Sequence, residues 1–192
     1  MLKNTNRLTS NFKILRFFII PTILVSTPFF NKIQEAKAGL EFQWNQDSTY
    51  RRLQWFQKED QRKFRNTIYF FFRPSDRRTD LLKINLAIPK TFKSTLKNEK
   101  ISFCKVKIGG YESRTKCLED IPADIEINTN ESGMRSVDIY PYSPILSNKD
   151  SYAIVLKVFN PNKSGLYQFH SYGQPKGKSF SNYLGSWTIV ID

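Results

Sequence analysis

The strongest constraint on this chain is a series of short apolar runs, rich in aromatic and β-branched residues, cut apart by turn-forming residues. Thr67 to Arg73 (TIYFFFR) is continuous, as in a strand covered on both faces. Leu81 to Ile88 places Leu82, Ile84, Leu86 and Ile88 on one side and stops at Pro89. Leu40 to Trp44 alternates apolar and polar residues, the period of a half-buried strand. Further strands are predicted over 100–108, 124–128, 135–140, 151–159, 165–172 and 184–191. Pro74-Ser75-Asp76, Gly109-Gly110, Asn130 to Gly133, Asn160 to Gly165 and Gly173 to Gly177 are the separators. About nine short strands at this spacing predict a mainly β domain, an antiparallel β-sandwich of Ig-like or jelly-roll-like type. A small β-barrel is the alternative. Helix signals are few: Lys58 to Asn66 suits a short helix or a solvated loop, and Phe92 to Glu99 has room for one turn. No repeat, heptad or linker divides residues 39–192, which read as a single domain.

The first 38 residues follow a different pattern. Lys3, Arg7, Lys13 and Arg16 form a basic leader, Phe17 to Phe30 is apolar and uncharged, and Ala36-Lys37-Ala38 puts small residues where a signal peptidase cuts. These are the parts of a secretory signal peptide, and they predict export with a mature chain from Gly39. An uncleaved anchor is the rival. A span needs about 20 apolar residues, whereas this run is shorter and holds Pro21 and Pro28. Cleavage leaves no mature transmembrane helix. The expected location is the periplasm or the outer-membrane periphery, with an extracellular site as a variant.

Export frames the two cysteines. Cys104 and Cys117 are the only pair, and an oxidising compartment favours a disulfide. A hairpin turning around Gly109 to Glu112 sets residue 104 opposite 117; a tight turn centred on Gly109-Gly110 sets it opposite 115 and requires a bulge. Free buried thiols are the alternative. The spacing fits neither a zinc pattern nor a redox CxxC.

Catalytic signatures are missing from the sequence. His170 is the only histidine and sits in a strand-like run, where a hydrogen-bonded sheet residue is expected. No GxSxG, HExxH, Walker, GxGxxG or EF-hand pattern occurs, so no cofactor and no metal site is expected, and the chain is read as non-enzymatic. Glu59-Asp60 and Glu119-Asp120 are the candidate carboxylate neighbours for an alternative glycan-hydrolase reading.

The chain carries +13, of which Lys3, Arg7, Lys13, Arg16, Lys32 and Lys37 against Glu35 put +5 in the leader and leave +8 in the mature part. The densest basic and aromatic stretch holds Arg51, Arg52, Arg62, Lys63, Arg65, Arg73, Arg77 and Arg78 around Trp55, Phe56 and Phe64. Guanidinium forks suit phosphate and carboxylate. Outside the cytoplasm the expected partners are anionic polysaccharide, lipopolysaccharide, lipid head groups or an envelope protein, and not nucleic acid. The competing reading packs the aromatics in the core and pairs the arginines with Asp47, Asp76 and Asp80.

Ile68-Tyr69-Phe70-Phe71, the proline-ended Leu82 to Pro89, Tyr152 to Pro161, Ser164 to Phe169 and Tyr183-Leu184-Gly185 occur in an order that resembles a cyanobacterial family of exported proteins, the domain-of-unknown-function family twenty-eight-oh-eight. The resemblance runs from about Thr67 to the end. It implies an envelope location and supplies no activity, cofactor or binding residue. The same residues have structural reasons: Asn160-Pro161 stops a strand, and Gly165 and Gly185 suit positive φ. The function expected is a binding or structural β-sandwich module of the envelope. The rivals are a carboxylate-pair hydrolase and an assembly subunit acting by strand addition.

Overall fold

The computed structural model describes residues 50–111 and 113–192. The signal peptide expected over residues 1–38, the strand expected over Leu40 to Trp44, Asp47 and Glu112 lie outside the described residues.

Ten strands are described: β1 (Trp55–Gln57), β2 (Arg65–Phe72), β3 (Leu81–Ile88), β4 (Ile101–Lys107), β5 (Lys116–Asp120), β6 (Ala123–Thr129), β7 (Arg135–Pro141), β8 (Tyr152–Phe159), β9 (Gly165–Pro175) and β10 (Asn182–Ile191). Sheet I has the order β1-β2-β8-β4-β5 and sheet II the order β10-β9-β3-β7-β6. Neighbours in both sheets are antiparallel. Two open sheets sharing one core make a sandwich, not a barrel. The short edge strands β1 and β5 add to the strands expected from the sequence.

The core follows from strand alternation. In β2, Ile68, Phe70 and Phe72 point inward; in β8, Tyr152, Ile154, Leu156 and Val158 do the same. Phe70 meets Phe169 of β9 and Trp187 of β10 at ring-centroid distances of 4.9 Å each, and Phe72 meets the edge of Trp187 at 5.2 Å. Phe92, from the crossover between β3 and β4, closes the cluster against Phe169 at 5.0 Å. Each such aromatic pair contributes about 1 kcal/mol beyond its buried area. Trp187 buries fully because its indole N–H donates to the Gln54 carbonyl at 3.0 Å.

The opposite face of sheet I is covered as well. Tyr69 and Phe71 of β2, Cys104 and Val106 of β4, and Ala153 and Val155 of β8 form a second buried cluster, with Ile108 and Cys117 packed on it. The continuous apolar run at 67–73 therefore reflects two cores, one on each side of β2. Cys104 and Cys117 are joined in a disulfide at a Cα separation of 5.7 Å. The first expected register set them directly opposite each other, and they are not; the second required a bulge, and one is present, although residue 104 does not face 115. Cys104 pairs with Asp120 and Val106 with Cys117, because the register shifts between Lys105 and Val106 and leaves the cysteines diagonal. Closing a loop this short stabilises by about 3 kcal/mol in the chain-entropy model.

A second irregularity corrects the expected face of β3. The register with β9 shifts between Leu81 and Lys83, so Leu81 is buried and Leu82 is exposed, while Ile84, Leu86 and Ile88 face inward as predicted. Residues 58–64 form a loop, not a helix, because two buried asparagine amides satisfy its backbone. Asn66 accepts from the N–H groups of Lys58 and Glu59 at 3.2 and 3.1 Å, and donates to Asn160 at 3.0 Å. Asn160 in turn donates to the carbonyls of Glu59 and Gln61 at 3.2 and 2.8 Å. Near residues 92–99 the expected turn appears as a 3-10 turn at Asn98–Lys100.

Before β1 the chain runs beside β10. The Leu53 N–H donates to the Ser186 carbonyl and the Ser186 N–H to the Arg51 carbonyl, both at 2.8 Å. This close approach requires Gly185, whose φ is +150° and where a Cβ would lie 2.6 Å from Leu53 Cγ and 2.8 Å from the Arg51 oxygen. Gly185→Ala is expected to lower the unfolding free energy by about 2 kcal/mol or more through backbone strain and the clash. Urea denaturation monitored by tryptophan fluorescence checks this.

Candidate functional site

Among the described residues, the outer face of sheet I gathers cations that take part in no salt bridge. On adjacent strands Arg65 pairs with Phe159 and Thr67 with Lys157, so these four side chains share that face. Lys97 and Lys100 bracket the 3-10 turn, closed by the Lys100 N–H donating to the Lys97 carbonyl at 2.9 Å. Arg65, Lys97, Lys100 and Lys157 line a cleft of about 300 Å³ together with Thr95 and Phe159. Phe159 is 57% exposed, and the Arg65 guanidinium lies 5.6 Å from its ring centroid. An adjoining cleft of about 330 Å³ shares Thr95 and Phe159 and adds Lys63 and Lys93. Among the described residues no carboxylate lines either cleft, and none of these six cations is in a salt bridge.

A second basic groove lies on the same face, between β1 and the hairpin joining β4 to β5. Two clefts of about 600 and 610 Å³ meet at Phe56, Gly109 and Thr115. Arg52 and Arg73 stand in one half, Lys58 and Arg114 in the other. Phe56 is 39% exposed and packs on Tyr69 at 6.0 Å. Gly109 is fixed by hairpin geometry, since a Cβ there would sit 2.5 Å from the Thr115 nitrogen.

The structure divides the eight cations singled out in the sequence. Arg65 and Lys63 belong to the paired clefts, and Arg62 is exposed on the loop beside them. Arg52 lies in the β1 groove. Arg51 and Arg73 both engage the buried Asp76, at 3.3 and 3.1 Å. Arg77 is buried and serves the fold: it donates to the carbonyls of Phe72 and, at 2.7 Å, Asp150, and lies over the Tyr152 ring at 4.5 Å. Burial lowers its pKa, partly offset by Tyr152 and by Asp76 and Asp150. Arg78 is exposed and lines a separate cleft with Arg51 and Asp76. Lys93, Lys97, Lys100 and Lys157 were not anticipated. The one available signal for Lys157 was a lone charge inside the apolar run Tyr152 to Phe159.

The groups considered for chemistry are engaged otherwise. Glu59 accepts from the N–H groups of Asp60 and Gln61 in its own loop, at 3.0 Å each. Glu119 and Asp120 are successive residues on the exposed strand β5, so their side chains alternate faces. Among the described residues, the five principal clefts offer a single carboxylate, Asp76. Cys104, Cys117 and Asp120 are the one described trio with metal-ligand atoms close together, and joined sulfurs are not thiolate ligands. His170 Nδ1 contacts the Ser186 hydroxyl at 2.7 Å, which also contacts the Tyr183 hydroxyl at 2.6 Å. Ser186 is fully buried, so that oxygen is not presented to a substrate.

Comparison with known proteins adds a family. The family described as Protein of unknown function (DUF2808) matches residues 42–191. No curated protein matches the chain. Among solved structures, the bacterial hydrophobin BslA is similar with a TM-score of 0.44 and 13% identity, over 74% of this chain and 95% of that one. The collagen-binding domain of a Staphylococcus aureus adhesin gives 0.37 and 13%, over 71% and 95%. ACE19, the collagen-binding subdomain of an Enterococcus faecalis surface protein, gives 0.37 and 7%, over 71% and 95%.

Two measurements separate structural groups from free ones. Arg77→Ala is expected to cost about 2 kcal/mol by leaving buried carbonyls without a donor, while Arg62→Ser stays within about 0.5 kcal/mol; chemical denaturation of both variants reads the contrast. Burial lowers the His170 pKa from its ordinary 6.5, so the fold favours the neutral ring. Its contribution to stability is whole above that ordinary value and is lost as pH falls through it toward the folded value. Unfolding free energy measured from about pH 8 to about pH 5 should therefore decline more in the unsubstituted protein than in His170→Gln.

Proposed function

We propose that this chain, which belongs to the DUF2808 family of proteins of unknown function, is a non-enzymatic binding module of the cell envelope that holds an anionic component through the outer face of sheet I. The observation that carries this reading is the cleft of Arg65, Lys97, Lys100 and Lys157 around the exposed Phe159, with no described carboxylate to neutralise it. Four unpaired cations this close repel one another, and an anion relieves that repulsion. The three flexible lysine ammonium groups and the Arg65 guanidinium suit phosphate, sulfate or carboxylate, and the lining is partly apolar.

Export supports the same reading. The basic leader, apolar run and Ala36-Lys37-Ala38 have the order of a signal peptide, and the paired Cys104 and Cys117 suit an oxidising compartment. Among the described residues no helix is long and apolar enough to cross a membrane. Strand addition has less support. On the β10 edge Ser186 is bonded to Arg51 and Leu53, β1 has three residues, the β5 edge carries Lys116, Glu119 and Asp120, and the β6 edge carries Asp124 and Glu126.

Binding of the purified full-length chain to dextran sulfate across a salt series tests the proposal. Affinity is expected to fall steeply as ionic strength passes about 0.1 M, where the screening length is about 10 Å. Replacing Lys97, Lys100 and Lys157 together with Ser should weaken binding at least about tenfold, roughly one charge-assisted contact. Absence of binding at low salt, or indifference to salt, rejects it.

A further inference from the structure

The two basic sites of sheet I lie on one face, set diagonally across β2. Phe56 of β1 pairs with Tyr69 of β2, and Arg65 of β2 pairs with Phe159 of β8. Tyr69 and Arg65 are four residues apart on one strand, so both sites face the same way, offset by about 13 Å along the strand at about 3.3 Å per residue and by two strand spacings, about 10 Å, across it. The interval is bridged by Lys58, whose N–H donates to the Thr67 carbonyl at 3.1 Å and whose side chain lines the β1 groove. Each site has the same composition: an exposed phenylalanine ring flanked by cations. Arg52, Lys58 and Arg114 surround Phe56, and Arg65, Lys97 and Lys157 surround Phe159. The groove adds hydroxyls from Ser113 and Thr115, and the cleft adds Thr95.

Resting on the reading of an anion-binding face, we infer that the ligand is an extended acidic polysaccharide whose chain runs from the β1 groove to the Arg65–Lys157 cleft. A sugar ring has apolar C–H faces that pack on an aromatic ring, and a polar rim that takes hydrogen bonds. Acid groups recurring along such a polymer meet cations recurring along the sheet. A single phosphate or carboxylate head group fills one site and leaves the other empty. Two like sites joined by a continuous ligand bind far more tightly than either alone, because the second contact forms at high effective concentration.

Chain length is the variable that distinguishes these cases. Affinities of the full-length chain for oligogalacturonates from dimer to dodecamer are to be measured at low salt, beside phosphatidylglycerol vesicles. The expected result is a step of at least about tenfold once the oligomer spans both sites. Arg52→Ser with Arg114→Ser, and separately Lys97→Ser with Lys157→Ser, should each abolish the step and leave the dimer bound; thermal unfolding confirms that both pairs of variants are folded. Equal affinity for all lengths overturns the inference while leaving anion binding in place. Vesicles bound at least as tightly as the dodecamer, with both variant pairs impaired, overturn it in favour of a membrane surface. No binding to any probe rejects the anion-binding reading itself.

Discussion

The contact of Phe70 with both Phe169 and Trp187 holds the two sheets together. It joins the second strand of sheet I to the two C-terminal strands of sheet II, positions far apart in sequence. All three rings are fully buried, so their combined apolar area is withdrawn from water. With β2 fixed against sheet II in this way, the side chains on its other surface have a fixed direction. Arg65 and the residues beside it on β8 thus point outward from a rigid platform.

That platform is unusual in being apolar on its outer side over part of its length. Tyr69, Phe71, Ala153 and Val155 continue the core pattern beyond the sandwich, while Arg65, Lys157 and Phe159 on the same face are open to solvent. The face thus passes from apolar side chains covered by the β4–β5 hairpin, with the Arg52–Arg114 groove along their rim, to the Arg65–Lys157 cleft at the other end. The disulfide lies at the hairpin end, where it joins the two strands of the hairpin, β4 and β5, to each other. Sheet II differs in charge: Asp138 is held on β7 by Lys83 at 3.1 Å, Asn85 at 2.7 Å and Asn128 at 3.0 Å, so its carboxylate is neutralised within the fold.

The long strands were legible because their residues declare themselves. β3 matches its predicted limits, and β2, β4, β7 and β8 differ from theirs by a residue or two. The edge strands were not legible. β5 reads KCLED and is exposed except at Cys117, so it offers no apolar period; β1 is three residues long. The bulges at Leu81/Lys83 and Lys105/Val106 lack a marker residue, and each reverses or offsets the side chains that simple alternation assigns. The site was legible only in part. The arginine-rich segment is dense in sequence, yet the fold directs Arg51, Arg73 and Arg77 into its own support and brings lysines from residues 97, 100 and 157 to Arg65. Such a grouping depends on which strands become neighbours, and no local pattern reports that.

The segment Arg51–Leu53 also covers part of one edge of sheet II. It precedes the first described strand, β1, and its hydrogen bonds reach Ser186 of β10. These residues take the outer N–H and carbonyl of Ser186 on β10 before the chain crosses to sheet I. They act as a selvedge on that side of the fabric: at Ser186 the polar groups that would otherwise template another strand are already taken.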